Sequence, residues 1–568
     1  MKFNIITLCC LLFVLPFKTF SQNWSWAFAL DSSSIASSAG EVVTADDNGN
    51  IYLGGHFYFD GINLGNNYLT IDGNSDLFMS KIDCGGQMIW ANQSHSDLYN
   101  TQSYADQFTG IATDREGNIY ACGDFSDSMR WDSFTLSDPL CSEYCYMPFV
   151  ISFDPLGNVR WAKEIPTETG SAEDMIIIGD DIYITGRFKD SAQFDAVHLN
   201  TINSWGSDGY IAKMNSNGDY VWVKQIGLAA YGPEIHSIEF DNNGSIIFSG
   251  TMGDSCLFDA QMYYGIGLTY GSLFVAKYDT SGNHIWVAGG LPDNFYGTKG
   301  YFTGLTTDTD GNIYLAGIFD DSLKIGSFIL LNDVQQYPHR NFAAKLDSNG
   351  NVLWAEQYGS IPNGQAFPPT IEISSSGQLH LSTHFSGTAS FGSYNFSSQN
   401  SSLDFCVAEL DVTDGSVLFA KAFGGNGFEQ AFDFYSDKIG NSYLAGFTGS
   451  STFVIDTITV YSTYADIFIA KSGDNCMVNV EEHHPNTKNS IFPNPFFDKV
   501  FLDLTDGLTN HQVTISIYNL QSKELFSTSF FSQGTEEFNL DLLESGVYLD
   551  TLQSNNEVVG NGMIICID

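Results

Sequence analysis

Apolar residues recur in this chain as short runs of period two, and clusters of Asp, Asn, Ser and Gly separate the runs. Leu77-Phe78-Met79-Ser80-Lys81, Tyr210-Ile211-Ala212-Lys213, Leu273-Phe274-Val275-Ala276-Lys277 and Ile467-Phe468-Ile469-Ala470-Lys471 are examples of one kind of run. Alternation at this length predicts β-strands, because successive side chains of a strand point to opposite faces. The intervening stretches, such as Asp308-Thr309-Asp310-Gly311-Asn312 and Asp347-Ser348-Asn349-Gly350-Asn351, concentrate the residues that tolerate positive φ and make tight turns.

The pattern repeats. Six segments place Gly four residues before an aromatic residue: Gly86/Trp90, Gly157/Trp161, Gly218/Trp222, Gly282/Trp286, Gly350/Trp354 and Gly415/Phe419. Successive aromatics lie 71, 61, 64, 68 and 65 residues apart. A second signature runs in phase in seven copies, among them Gly49-Asn50-Ile51-Tyr52, Gly117-Asn118-Ile119-Tyr120, Gly311-Asn312-Ile313-Tyr314 and Gly440-Asn441-Ser442-Tyr443. The alternating runs quoted above form a third, also in seven copies. Each unit thus reads as four short strands, for instance Phe302 to Thr306, Asn312 to Phe319, Phe342 to Leu346 and Val352 to Gln357. Four antiparallel strands per repeat make a propeller blade, so an all-β fold built on a seven-bladed β-propeller is expected. Seven third strands meet only six Trp or Phe strands. The missing one stands at the other end of the chain, Asn23 to Leu30, where Trp26-Ala27 aligns with Trp90-Ala91 and Trp161-Ala162. The N-terminal strand is therefore expected to complete the last blade and leave no open sheet edge.

Residues 272–288 and 308–356 carry Asp-x-x-Gly-Asn-Ile-Tyr, then Phe-Val-Ala-Lys-Tyr/Leu-Asp, then Gly-Asn-x-x-Trp-Ala-Lys in whole or in part. In this the units resemble the bacterial propeller repeats known as SBBP repeats, over roughly residues 23 to 473. The resemblance implies a fold and is almost silent on activity. Ser152 and Glu409 at the Lys position and Phe419 at the Trp position point to packing roles rather than catalysis.

Composition narrows the partners. The 568 residues include 22 Lys and Arg against 66 Asp and Glu, for a formal charge of −44. A surface so acidic argues against nucleic acid and anionic lipid, which are bound through basic side chains. Lys2 followed by the apolar run Ile5 to Phe17 and the small residues near Ser21 reads as a cleaved export signal over residues 1–21. No later apolar run is long enough to span a bilayer, so the mature chain is expected to carry no transmembrane span. Eight cysteines remain after the leader, and Cys141 and Cys145 stand close enough to staple one loop, with the pairing of all eight left open.

After Cys476 a polar linker, residues 477–490, ends the repeat region of residues 22–476. From Ile491 to Asp568, short alternating runs such as Gln512 to Tyr518 suit a small immunoglobulin-like β-sandwich. Phe492-Pro493-Asn494-Pro495-Phe496, Val513 to Asn519 and Ser545-Gly546-Val547-Tyr548 are similar to the type A sorting domain of the type IX secretion system. That resemblance implies a bacterium of the Bacteroidota, the type IX machinery as a partner, and a chain secreted or held at the outer-membrane surface.

No nucleophile elbow, zincin helix or phosphate loop appears. No cofactor is expected, with calcium as the one candidate: Asp308, Asp310 and Asn312 alternate in a Gly-containing turn, which is also the composition of a plain β-turn. The long connections carry Tyr104, Tyr144, Trp205, Tyr231, Tyr264, Tyr296, Tyr301 and Tyr337 among few charges. Aromatics on loops held by a rigid scaffold stack on sugar rings or anchor a protein partner. The expectation is a non-catalytic binding or adhesion module for a glycan or protein. The alternative is a secreted polysaccharide hydrolase or lyase using funnel carboxylates such as Asp106, Glu173 or Glu234.

Overall fold

The computed structural model describes residues 24–30, 38–58, 61–65, 67–72, 75–96, 106–126, 128–137, 146–202, 206–227, 232–253, 255–264, 272–289, 296–297, 301–332, 339–361, 369–462, 466–473 and 476 of the repeat region. In the tail it describes 490–492, 499–503, 512–518, 523–531, 535–540, 543, 546–554 and 557–566. The chain is all-β: among these residues there is one short 3-10 turn, Gln399–Ser401, and no α-helix. It divides into two compact units, Met1–Met477 and Val478–Asp568.

Seven antiparallel four-strand units occupy the repeat region. The first comprises Ser38–Ala45, Ile51–Tyr58, Ser75–Ile82 and Met88–Gln93, hydrogen-bonded in that order. In the seventh, Glu429–Ser436, Ser442–Thr448 and Asp466–Ser472 are joined by the N-terminal strand Trp24–Leu30, with Ala27 opposite Ala470. The lead-in strands of successive units touch in order, and that of the seventh touches that of the first. The second strand of each unit is almost wholly buried, as in Ile119–Phe125 and Ile313–Phe319. Sheets buried on both faces lose the alternation of polar and apolar residues, which explains why these runs read as nearly continuous apolar sequence.

The repeated residues are turn and packing chemistry. Asp308 Oδ1 accepts from the backbone N–H groups of Asp310 (3.0 Å) and Asn312 (2.8 Å), while Oδ2 accepts from Asn312 Nδ2 (2.8 Å) and the Tyr314 hydroxyl (3.0 Å). The same bonds recur at Asp46, Asp114 and Asp437, with Tyr52, Tyr120 and Tyr443. Both oxygens of Asp308 are thus taken by the turn. The indole of each fourth-strand Trp lies on the glycine of the next unit, and its N–H donates to a carbonyl two or three residues before that glycine: Trp90 to Pro155 (3.2 Å), Trp161 to Ser216 (3.0 Å) and Trp354 to Val412 (3.2 Å). Trp26 does the same across the seam, donating to Cys84 (3.1 Å). Lysines of the third strand lie over tyrosine rings, as Lys345 over Tyr314 at 4.9 Å. Where Ser152 replaces that lysine, Arg160 takes its place over Tyr120 at 5.5 Å and donates to both hydroxyls.

Cys84 and Cys476 form a disulfide across 392 residues. Cys141 and Cys145, whose closeness in sequence would let them staple one loop, lie outside the described residues, as does the export signal. Cys122, Cys256 and Cys406 are buried free thiols.

In the tail, Ser490–Phe492, Lys499–Asp503 and Thr535–Asn539 form one sheet, and Glu524–Phe531, Gln512–Tyr518, Gly546–Ser554 and Glu557–Cys566 form another. Val500, Leu502 and Phe538 of the first share one core with Val513, Ile515, Ile517, Tyr548 and Leu552 of the second. Two sheets around a common core are a β-sandwich.

Candidate functional site

Six lead-in strands carry a register shift that leaves one residue unpaired: Glu41, Thr109, Glu173, His236, Thr303 and Phe432. A bulge of this kind re-aims a side chain away from the pleat, which is why bulges gather beside functional sites. Next to it, on the second strand, a position following a glycine holds His56, Asp124 and Arg187 in the first three units, but Ile318 and Phe447 in the fifth and seventh. The chain therefore places polar and titratable groups at one side of the repeat region.

There they line a recess of about 600 Å³. Arg187 organises it: Nη1 lies 2.5 Å from Glu234 Oε1, and Nε lies 3.5 Å from Glu173 Oε1 and 3.2 Å from Ser171 Oγ. Ser171 Oγ also bonds Glu173. Lys189, 3.4 Å from Glu168, stands at the wall beside Tyr146. Opposite is Asp124, only 2% exposed. Its Oδ2 accepts from Gln107 Nε2 at 3.1 Å, whereas Oδ1 has no hydrogen-bond partner within the protein. Burial, and after it the charge of Glu173, pushes the Asp124 carboxyl well above the ordinary carboxylate range. Arg187 acts in the other direction on Asp124, too weakly to reverse the shift. Acidic and basic side chains thus pair within the recess, Glu173 and Glu234 on Arg187, while Lys189 of its lining pairs with Glu168.

Four more carboxylates stand each on a different lead-in strand and are half-buried: Asp174, Glu239, Glu372 and Asp433. Two of them bridge units. Asp174 Oδ2 accepts from Ile238 N (2.9 Å) and Asp433 Oδ2 from Val43 N (2.8 Å). Desolvation raises Asp174 to about 8, Glu239 to about 7 and Asp433 to about 6, and Glu372 is also raised. No group of three or more metal-ligating side chains occurs among the described residues.

The structure brings Glu173 and Glu234 together on one guanidinium. Asp106 stands apart from the recess, buried, with Oδ1 accepting from Ser126 N at 3.0 Å. Asp124 was missed by sequence reasoning; the one signal for it is a carboxylate after Gly123 where the fifth and seventh units carry Ile318 and Phe447. Of the loop aromatics, Tyr104, Tyr144, Trp205, Tyr231 and Tyr337 lie outside the described residues. Tyr264 is 58% exposed on a hairpin, opposite Ser255. Tyr296 and Tyr301 lie in strands, and their side chains are outside the description. Of the sorting residues, Pro493, Asn494, Pro495 and Phe496 lie outside it, Gly546 and Val547 begin a strand, and Tyr548 is buried.

Residues 490–566 match the family of secretion system C-terminal sorting domains. The tail thus marks the chain as cargo of type IX secretion, placed at the cell surface or released beyond it. Among the described residues no helix is long and apolar enough to cross a membrane. An uncharacterised WD repeat-containing protein of Acanthamoeba polyphaga mimivirus is 24% identical over 264 residues, covering 39% of this chain. The match spans only 18% of that protein's length. A protein of unknown function from Dyadobacter fermentans is similar over 79% of this chain and 99% of its own, at 10% identity and a TM-score of 0.37. A member of the duf4221 family from Bacteroides vulgatus is similar over 63% and 90%, at 10% identity and a TM-score of 0.31. Both scores are too low to bear on the architecture.

Proposed function

We propose that the repeat region is a seven-bladed β-propeller of SBBP-type repeats, exported behind a type A sorting domain from a bacterium of the Bacteroidota, and that it works as a non-catalytic binding module. The propeller reading is supported by the cyclic order of contacts, above all the pairing of Trp24–Leu30 with Asp466–Ser472. The binding reading rests on the recess around Arg187. Its carboxylates and guanidinium are paired with one another, and such paired acceptors and donors suit the hydroxyls of a neutral glycan better than an ion. Tyr146 is among its lining residues, and aromatic rings stack on sugar rings. A protein partner on the loop aromatics is the other ligand class.

The test is a binding screen of the mature chain against soluble polysaccharides and matrix proteins, with and without calcium, while product release is followed in the same samples. Saturable glycan binding lost in Arg187→Met supports the reading; binding only to proteins, unaffected by that substitution, moves the site to the loops. One observation favours a second reading, a polysaccharide hydrolase or lyase: Asp124, whose carboxyl burial shifts well upward, lines the same recess as Glu173, and such enzymes pair an acid with a carboxylate. New reducing or unsaturated ends in the same screen would establish it.

A further inference from the structure

The recess poses a problem that a ligand would solve. Asp124 Oδ1 is buried without a partner, while Oδ2 is held by Gln107. A buried polar atom left unpaired is costly, and an unpaired carboxylate oxygen facing a second carboxylate is costlier still. Opposite Asp124 in the sheet stand Gln107, whose Nε2 bonds Oδ2, and Pro148, which has no N–H. The charged groups that face it are Glu173 and Glu41 from the lead-in strands of the third and first units, and Arg187 from the second strand of the third. Glu41 is occupied by His56 at 2.7 Å and by Phe108 N at 2.9 Å, and Arg187 by Glu234 and Glu173.

We propose that Asp124 is the donor of this site, a neutral carboxylic acid whose hydroxyl takes an acceptor oxygen of a neutral saccharide, while Glu173 and Glu234 accept from the sugar's hydroxyls. The inference rests on the glycan-binding reading and adds to it a specificity: the ligand presents an ether or carbonyl oxygen to Asp124. A saccharide bearing a carboxylate is rejected, since its charge would meet Glu173 and Glu234. The site also acquires a pH dependence, because the donor is lost when Asp124 ionises.

The experiment is calorimetric titration of the mature full chain with cellotetraose, maltotetraose, xylotetraose and N-acetylchitotetraose, and with tetragalacturonate as the anionic control. At least one neutral probe is expected to bind, with affinity falling as rising pH ionises Asp124. Asp124→Ala should weaken it about tenfold or more, whereas Asp124→Asn, which keeps an N–H donor, should stay within about threefold and lose the pH dependence. The proposal is overturned by a binding curve that Asp124→Ala leaves unchanged, by an Asn variant as weak as the Ala variant, or by preference for tetragalacturonate. Neutral binding that yields to Arg187→Met and ignores Asp124 would sink the donor assignment alone. Failure of every probe to bind would sink both it and the glycan reading.

Discussion

Gly218 provides the sharpest test of how neighbouring units hold together. It has φ +84, and a Cβ placed on it would lie 2.9 Å from Cδ2 and 3.0 Å from Cε3 of Trp161, which belongs to the preceding unit. Gly377 has nearly the same backbone, φ +80, but nothing lies within 4 Å of its Cβ position. Gly377→Ala therefore measures backbone strain alone, about 1–2 kcal/mol for a side chain in the left-handed region. Gly218→Ala adds the displacement of an indole that donates to Ser216 at 3.0 Å, a further ~1–3 kcal/mol of overpacking. The expected total is about 2–5 kcal/mol. Urea unfolding of the mature chain, followed by far-UV circular dichroism, should show both midpoints lowered at unchanged slope, that of Gly218→Ala by more. In a Trp161→Ala background the excess should vanish, because the atoms that the new methyl group meets are gone. Equal losses in the two glycine variants, or an excess that survives removal of Trp161, would refute the idea that the indole–glycine contact joins the units.

Three further outcomes are expected. Asp174, Glu239 and Asp433 have folded pKa values above their unfolded ones, so the native state holds the extra protons and stability falls as the pH rises from about 4 through 8. The melting temperature should peak at mildly acidic pH and decline toward pH 8, with Asp433 alone costing about 3 kcal/mol when ionised; a flat profile over that range would contradict this. Cys84→Ser, Cys476→Ser and the double variant should be destabilised alike, by no more than the about 6 kcal/mol that chain entropy assigns to so long a loop, and a double variant weaker than either single would show that more than one bond is lost. Tyr314→Phe should cost about 1 kcal/mol and Asp308→Ala distinctly more, and a chelator should leave the melting temperature of the wild-type chain unchanged; a rise of several degrees on adding calcium would show that the turn binds a cation.

What could be read from the sequence was what acts over a few residues. Asp308 reaches Asn312 and Tyr314 within one turn, so its signature appears intact in the repeat. The spacing of Trp161 and Trp222 was equally plain, but the carbonyls they bond lie 55 and 58 residues further on, and nothing local names them. The N-terminal strand could be placed because counting exposed a vacancy for it. The disulfide could not, because Cys84 and Cys476 stand 392 residues apart and no local pattern pairs them. Asp124 was hidden for a related reason: its environment is made by Gln107 of its own unit together with Glu41, Glu173 and Arg187 of two others. Glu173 and Glu234 were visible as carboxylates near the starts of strands, but one guanidinium holding both is a fact of tertiary structure.

The pairing of Trp24–Leu30 with Asp466–Ser472 also sets an order of events. The first of these strands to leave the ribosome must wait for one of the last, so no partial chain can satisfy its hydrogen bonds. A polypeptide truncated before residue 466 keeps Ser442–Thr448 as a bare, apolar sheet edge, which invites proteases and aggregation. The seam thus depends on length: only a chain that extends through the last unit can pair Trp24–Leu30 with Asp466–Ser472 and link Cys84 to Cys476.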